Sequence, residues 1–519
     1  MPGPPSQGLL PGMEGTELAE LARAAEQRGD RKGAARLWEK LSSQHPDDPD
    51  PPYRIGALFH ELGLYVSALP YFQSAVRRGA NSAEPQLRIA HCLVSMGRPE
   101  DALAIYRQLL DQTPVPATIS AYLFALILTP GQSADFVAAE HRRLAALLET
   151  APPAPRAASA GGLKHVGLVS GHLGSEHPIA QLIEPALERI SRSGLKLTVY
   201  ATRPPGPAQA DRIRRYGGVE SIHGLNDTDA AARIAAQGPD LLVDLIGHTS
   251  GARPGIFARR PAPRQAGFLG YTFTSGAPFM DAIIADPHVC PPQEESLYAE
   301  RVIRLPACFT VFRPPPGMPE ERSKVARDNL VFGSLNNAAK LNLPTIRLWA
   351  RVVSGVADAH LLLKSRAFAE PANRARIAGL FDAAGLDPAR LDFEGHSSFS
   401  QGMARYRGVD IALDPLVYNG CTTTAHALWM GTPVVSLPGR AFYARMGVSL
   451  LTAADRPEWI AADEDDYVRI ARSLAADRGA LRAEQQRLLT SLEASPLCDL
   501  NAYADSLSDA FRRAAALPA

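Results

Sequence analysis

Net charge is the first thing missing from this chain: 54 Lys and Arg balance 54 Asp and Glu over 519 residues. A balanced surface exerts no long-range pull on a polyanion, and no nucleic-acid-binding motif is present, so nucleic acid is not an expected partner. Cysteine is scarce. Cys92, Cys290, Cys308, Cys421 and Cys498 are scattered with neither metal-ligand spacing nor disulfide-like clustering, and they read as reduced thiols. No apolar run is long enough to span a bilayer, and the opening MPGPPSQGLLPGMEGTE lacks the basic and apolar regions of a signal peptide. A cytoplasmic location without a membrane partner is therefore expected. Asp-x-Asp spacings do occur, at Asp227-Asp229 and Asp463-Asp465, but both lie in polar runs that read as exposed. No metal or other cofactor is expected.

An apolar content of 46% is ample for packed cores, and the length corresponds to about three to four domains. The first third carries an internal period. Gly29, Gly63 and Gly97 are 34 residues apart, as are Ala34, Ala68 and Ala102, and the aromatics Trp38, Phe72 and Tyr106. That spacing is the tetratricopeptide signature of paired helices stacked in a solenoid. Pro46 and Pro114 close two of the units, and Ala80 replaces proline in the middle one. Further helical sequence, from Ile119 to the AEHRRLAALLE segment ending at Glu149, is expected to cap the solenoid.

Composition marks a Pro/Ala/Gly-rich linker at residues 151–162 and a second break over Arg313 to Glu320. Between them, strands are expected at 165–170, 195–201, 241–247, 265–271 and 282–286; after the second break, at 330–335, 361–364, 391–394, 411–413 and 434–437. Strands alternating with helices in two blocks predict two doubly wound, Rossmann-like α/β domains. The expected order is a helical repeat domain over 16–150, a linker, an α/β half over 163–315, a second over 328–463, and helices over 464–516.

The densest chemistry lies in VDIALDPLVYNGCTTTAHALWMGTPVVSLPG, residues 409–439. It reads as a buried strand ending at Asp414-Pro415, a loop Asn419-Gly420-Cys421, a helix starting near Thr422, and another strand. Unpaired amides at a helix start, threonine hydroxyls and a glycine that permits close approach make a cradle for an anion; the alternative is an ordinary threonine-capped helix. Upstream, LVFGSLNNAAKLN is a second strand and polar loop, with Lys340 four residues past Asn336 and next to it Asn337. In an open α/β sheet, ligands bind outside the carboxyl ends of the strands, so Lys340 and the cradle are expected to face one diphosphate-sized cleft.

With those residues in view, the chain resembles the protein O-GlcNAc transferases and their SPINDLY relatives. The resemblance runs through VGLVSGHLGSEHPIAQL, LVDLIGHTSGARPGIFARRPAPRQAGFLGYTFTSGAPFMD, FGSLNNAAKLNLPTIRLWARVV and DIALDPLVYNGCTTTAHALWMGTPVV. It covers roughly residues 163–500 in order. It implies a glycosyltransferase-B arrangement of the two halves and metal-free, inverting transfer of a sugar, GlcNAc by resemblance, from a nucleotide-sugar donor to Ser or Thr of a protein acceptor bound through the repeats. Lys340 and Thr422-Thr423 would stabilise the departing phosphate, with Asn336, Asn337, Asn419, Gly420, Cys421 and His426 completing the donor site. His177 and His248 follow strands of the first half and suit proton transfer near neutral pH. The base is left open, with Asp240 or a donor phosphate oxygen as alternatives, and both histidines could instead hold loop backbone. Thr274-Ser275-Gly276, with Tyr271, matches the family's loop near the sugar, although Tyr271-Thr272-Phe273 replaces its usual Tyr-Pro-Gly.

Three positions depart from the family's pattern. His426 stands where relatives place an aspartate on the ribose, Gly402 where they place a histidine against uracil, and Cys421 where animal enzymes have histidine. An imidazole accepts less than a carboxylate and a glycine offers no ring. Two alternatives therefore stand beside the UDP-GlcNAc reading: a flagellin-type protein glycosyltransferase using another donor such as a CMP-nonulosonic acid, and a non-enzymatic repeat adaptor with a decayed transferase domain.

Overall fold

The computed structural model describes residues 15–148, 162–325 and 327–518; the chain start, Glu149 and nearly all of the expected linker lie outside the described residues. Eight helices come first: α1 Gly15–Gln27, α2 Arg31–Gln44, α3 Asp50–Glu61, α4 Tyr65–Arg77, α5 Glu84–Ser95, α6 Pro99–Gln112, α7 Pro116–Leu128 and α8 Ala134–Ala145. Their pairing reproduces the sequence period. Gly29, Gly63 and Gly97 turn the chain inside successive pairs at φ of +77°, +77° and +75°, a backbone conformation that strains any residue with a Cβ. Ala34, Ala68 and Ala102 are completely buried, and Trp38, Phe72 and Tyr106 fill the space beside them.

A fourth pair, α7 and α8, stands where only a cap was expected. Its turn carries Gly131 at φ +76°, the next position in the glycine column, while Phe136 and Glu140 occupy the small and aromatic columns. Two of the three columns lapse because the far side of this pair packs against the next domain instead of a following repeat. The α7 sequence PATISAYLFALIL is buried on nearly every face for the same reason.

The first α/β domain contains β1 His165–Ser170, α9 Pro178–Ser191, β2 Lys196–Ala201, α10 Pro207–Arg214, β3 Gly218–Ser221, α11 Asp227–Gln237, β4 Leu241–Asp244, α12 Pro254–Phe257, β5 Arg264–Gly267, β6 Ala282–Ala285 and β7 Arg301–Arg304. The second contains β8 Val331–Ser334, α13 Leu343–Ser354, β9 His360–Lys364, α14 Pro371–Ala383, β10 Leu391–Glu394, α15 Phe399–Ala404, β11 Ile411–Leu413, α16 Thr422–Trp429 and β12 Val434–Val435; α17 Met446–Ala453, α18 Glu464–Ala476, α19 Arg478–Ser491 and α20 Leu500–Ala515 follow. The sheets run β3-β2-β1-β4-β5-β6-β7 and β10-β9-β8-β11-β12, and every pairing is parallel. Each order reverses once, between β1 and β4 and between β8 and β11, which places the ligand crevices at the carboxyl ends there.

β3 and β7 were not expected from the sequence. They are edge strands, and GVES and RVIR carry exposed polar residues in place of an apolar run. The strand expected over 265–271 stops at Gly267, because Leu269 turns the backbone to φ +60°. At the far end, α18 covers the second sheet through the Tyr467 hydroxyl, which donates to Asp414 O at 3.1 Å, and α20 crosses back to the first domain, where the Tyr503 hydroxyl donates to Phe309 O at 3.0 Å. Among the described residues no helix is long and apolar enough to cross a membrane.

One continuous apolar core runs from Ala68 through both α/β domains, whereas Leu18, Ala22, Ala25, Ala34, Trp38, Leu41, Ile55 and Leu58 form a separate cluster. A terminal repeat with its own small core unfolds independently of the rest. Trp38→Ala, which removes about 3–5 kcal/mol of packing, is expected to abolish hydrogen-exchange protection across α1 and α2 while leaving the protection of the two sheets unchanged.

Candidate functional site

The loops leaving β8 and β11 meet at the second reversal. Asn337 accepts from Ala339 N at 3.0 Å and starts the short turn that ends at Lys340. The half-buried Lys340 donates from Nζ to Asn419 O at 2.8 Å and to Asn336 Oδ1 at 3.1 Å, with the ammonium 4.8 Å from the centre of the Tyr418 ring. Thr423 Oγ1 donates to the same Asn336 Oδ1 at 2.9 Å. Asn336 thus joins the lysine loop to the first turn of α16, where Cys421 occupies the cap position without a side-chain capping bond. The amides of that turn keep their outward-facing donors, and Thr422 and Thr423 are partly exposed.

Asp414 underlies this arrangement. Its Oδ1 accepts from Gly420 N at 2.6 Å and its Oδ2 from Ser436 Oγ at 2.6 Å. A Cβ at Gly420 would lie 2.5–2.8 Å from Thr424 Oγ1, Thr423 Oγ1 and Asp414 Oδ1, so only glycine fits. Burial raises Asp414 to about 6 against those two bonds and Lys340, and burial lowers Lys340 to about 8 against the pull of Asp414. Both remain charged at neutral pH. Burial pushes the Cys421 thiol to about 12, which leaves it protonated. Asn419 is fully buried, with Nδ2 donating to Pro415 O at 3.0 Å and Oδ1 without a partner.

In the first domain, His177 lies at the carboxyl end of β1 and caps α9: its Nδ1 accepts from Ile179 N at 3.3 Å. Its ring stacks on His172, with centroids 3.7 Å apart and planes 14° apart. Burial, then His172 and Arg203, lower it to about 4. The neutral ring accepting at Nδ1 carries its proton on Nε2, so His177 presents a donor and not a base.

The other expected residues of this half are placed differently. Asp240 precedes β4 and accepts from Lys164 N at 2.8 Å and His165 N at 2.9 Å, at the amino edge of the sheet, which corrects its assignment to the cleft. His248 is 4% exposed, with Nδ1 accepting from Ser120 of α7 at 3.0 Å and Nε2 donating to Ser275 O at 3.3 Å. It joins the repeats to the first domain, the loop-holding alternative, and burial lowers it to about 4. Tyr271 donates to His141 Nε2 of α8 at 2.7 Å. Thr274 Oγ1 and Ser275 N donate to Glu300 at 2.5 and 2.6 Å, and a Cβ at Gly276 would strike His141 C at 2.3 Å. The side chains of Tyr271, Thr274 and Ser275 therefore fasten the loop to α8 and Glu300 in place of facing a sugar. Thr272 and Phe273 carry the loop to the second domain: Thr272 donates to Tyr418 Oη at 3.1 Å, and the Phe273 ring meets Tyr443 edge-on.

His426 is also spoken for. Its Nε2 lies 3.1 Å from Gln181 Oε1 of α9 and its ring meets Phe312 and Phe399 edge-on, at 6% exposure. It closes the two domains on each other, so the donor-contact role expected of it is not available in this arrangement. Gly402 is buried, with only Ser397 Oγ and Lys364 Cε near a Cβ placed there. The Asp-x-Asp residues are structural: Asp227 pairs with Arg253, Asp229 accepts from Asn226, Asp463 caps α18 and Asp465 pairs with Arg351.

The repeats reach this site directly. Glu370, 3% exposed, accepts from Val66 N at 3.1 Å and Ser67 N at 2.7 Å, capping α4 from the second domain. A Cβ on Gly97 would lie 2.7 Å from Leu341 O and 3.2 Å from Ala338 O, on the turn that carries Lys340. Sequence reasoning missed Asp414, Tyr418, Gln181, Glu300 and Glu370 as site supports. Only Asp414 carried a signal, as the polar stop of a buried strand.

Residues 148–313 and 319–507 match the family model of glycosyl transferase family 41, and residues 59–121 match a tetratricopeptide-repeat family. The probable UDP-N-acetylglucosamine--peptide N-acetylglucosaminyltransferase SPINDLY of Arabidopsis thaliana is 32% identical over 344 residues, which are 65% of this chain and 38% of the relative. The probable transferase SEC of the same plant is 28% identical over 371 residues, 68% of this chain and 37% of that protein. The chain spans well under half the length of these relatives. A mutant O-GlcNAc transferase of Thermobaculum terrenum superposes with a TM-score of 0.87 at 28% identity, covering 96% of this chain and 97% of that one.

The imidazole of His177 is expected to stay neutral, in the Nε2–H form, from pH 8 down to about 4. Long-range 1H–15N NMR spectra checks this; titration near the ordinary value of 6.5 would show that its cap and burial are absent in solution.

Proposed function

The chain belongs to glycosyl transferase family 41, and on that footing we propose that it transfers a sugar from a nucleotide-sugar donor to a Ser or Thr hydroxyl of a protein. The observation that carries this reading is the convergence of Lys340 Nζ and Thr423 Oγ1 on Asn336 Oδ1 beside the uncapped start of α16. As the glycosidic bond breaks, its electron pair stays on the nucleotide phosphate. An ammonium, a threonine hydroxyl and amides fixed in advance at a strand-order reversal are what such a leaving group requires. By family resemblance the donor is UDP-GlcNAc and the transfer inverts the anomeric centre, the acceptor oxygen attacking opposite the departing phosphate without a metal.

The acceptor must also lose a proton. His177 spends its lone pair on the cap of α9 and Asp240 lies at the opposite edge of the sheet, so we assign the proton to a donor phosphate oxygen, with His177 Nε2–H orienting the acceptor or sugar. The stacked repeats form an extended concave surface of the kind that holds a peptide or protein acceptor. That groove is short, which favours one or a few dedicated targets.

His426, tied to Gln181, and Gly402 leave the base and ribose contacts unlike the pattern of UDP-binding relatives. The test therefore begins with nucleotide titrations using UDP and CMP, followed by incubation of acceptor proteins with nucleotide sugars, read by intact mass. UDP binding and a mass gain of one N-acetylhexosamine are expected; CMP binding alone would replace the donor, and no mass gain from any donor would favour the adaptor. Lys340→Ala is expected to cost on the order of 100-fold or more in transfer rate. A bound diphosphate favours the charged lysine, whose free value is about 8. Binding should thus take up a proton above that pH, and affinity should fall as pH rises from 8 towards 10.5. Calorimetry in buffers of different ionisation enthalpy measures that uptake.

A further inference from the structure

The carboxyl edge of the first sheet holds a second group of donors, of which only His177 has been given a role. Arg203 follows β2 and is exposed. Its side chain crosses the loops leaving β1 and β4: a Cβ on Gly171 would lie 3.2 Å from Arg203 Cγ, and one on Gly251 3.8 Å from its Nη2. That path runs over the reversal between β1 and β4, the ligand crevice of this domain. Beside it are the stacked His172 and His177, and after β3 comes His223, whose Nδ1 donates to Thr202 O at 3.3 Å.

Among the described residues no carboxylate answers this group. Glu184 is held by Arg212, Gly174 N and Tyr216; Asp227 is held by Arg253; Asp244 accepts from Ile246 N and Gly247 N. Glu176, on the same loop, is exposed. Among the described residues Arg203 has no ion pair and no hydrogen bond, and the His172 ring and His177 Nε2 have no partner either. An arginine without a carboxylate, laid over the crevice of the first sheet, is a built half of a salt bridge.

We propose that Arg203, with His172 and His177, forms an anion-recognising subsite on the acceptor side of the cleft and that its ligand is a carboxylate. The proposal deepens the transferase reading and rests on it for which substrate supplies that group. Charge selects the class: one permanent cation beside His172 and His177, whose charged forms burial disfavours, matches a monoanion, whereas a phosphate dianion is better served by the cradle in the second domain. The planar guanidinium also matches a carboxylate two bonds at a time. The carboxylate comes either from an acidic side chain next to the acceptor hydroxyl or from a carboxylated donor sugar.

Saturation-transfer NMR on the full-length chain separates the sources with two pairs of probes: a serine peptide flanked by Glu against the same peptide flanked by Gln, and free sialic acid against its methyl ester. In one pair the acid should bind roughly tenfold more tightly than its neutral partner. The preference should vanish in Arg203→Ala and persist in part in Arg203→Lys, and a UDP titration in the same samples should be identical for all three proteins. A preference confined to the peptides assigns the carboxylate to the acceptor, and one confined to the sugars assigns it to the donor. No acid preference in either pair, or one that survives Arg203→Ala, overturns the proposal. Absence of both UDP and CMP binding in the parent protein would sink the donor reading of the second domain and leave the acid preference to report on Arg203 alone.

Discussion

Everything at the second crevice depends on keeping an ammonium charged while removing it from bulk water. Lys340 loses much of its hydration and receives in exchange Asn336 Oδ1, Asn419 O and the face of Tyr418, with Asp414 supplying the opposite charge behind them. A buried charge without such partners would discharge. Three of these groups come from the loop after β11, so the path of that loop is the constraint. Asp414 pins Gly420 by its amide, and Gly420 has no room for a side chain. On the other side, a Cβ on Gly447 of α17 would lie 2.7 Å from Asp414 Oδ2 and 2.1 Å from Ser436 Oγ. Glycines at both places leave room for the carboxylate to accept one backbone amide and one serine hydroxyl.

The repeat domain belongs to this construction and is not an appendage. Its pairs contact both α/β domains: α4 is capped by Glu370, Gly97 lies against the turn of Lys340, and His141 and Ser120 hold the loop 271–276 and His248. Arg440 links all three parts through Asp135 and Glu294, but those pairs are exposed and contribute little. Glu370 is different, since it is almost inaccessible and satisfies two orphan amides of α4. The repeats and the Lys340 loop therefore share a wall, through which strain at Gly97 reaches the turn that carries the lysine.

The fold was legible where a period or a buried run carried it. The 34-residue columns gave three repeats, and the apolar strands gave two parallel sheets. The edge strands β3 and β7 were not legible, since an edge needs no apolar alternation, and the fourth repeat kept only Gly131 of its signature. Among site residues, Lys340, Asn336, Asn419, Gly420 and Thr423 lie together because they sit at fixed offsets from two strands that flank the same reversal. The histidines and the loop 271–276 were harder. A histidine after a strand reads alike whether it opens on a cleft or, as His248 does, packs under a helix from a domain more than a hundred residues away in sequence. Asp240 failed for a simpler reason: it precedes its strand, and in a parallel sheet that is the end away from ligands.

The contacts that close the cleft are chemically unlike those that build it. Gln181 meets His426, and Thr272 meets Tyr418; all four are neutral, because burial keeps His426 near 4. A neutral hydrogen bond contributes only about 0.5–1.5 kcal/mol net, so the two domains are held together at the cleft by contacts weak enough to be exchanged for those of an incoming ligand. Away from the cleft the same two domains are joined by charged contacts: Ser449 Oγ of α17 donates to the buried Asp286, and Arg445 Nε donates to His288 O at 2.6 Å. With the His177 imidazole neutral and the Lys340 ammonium balanced by Asp414, neither of these two groups adds repulsion across the cleft.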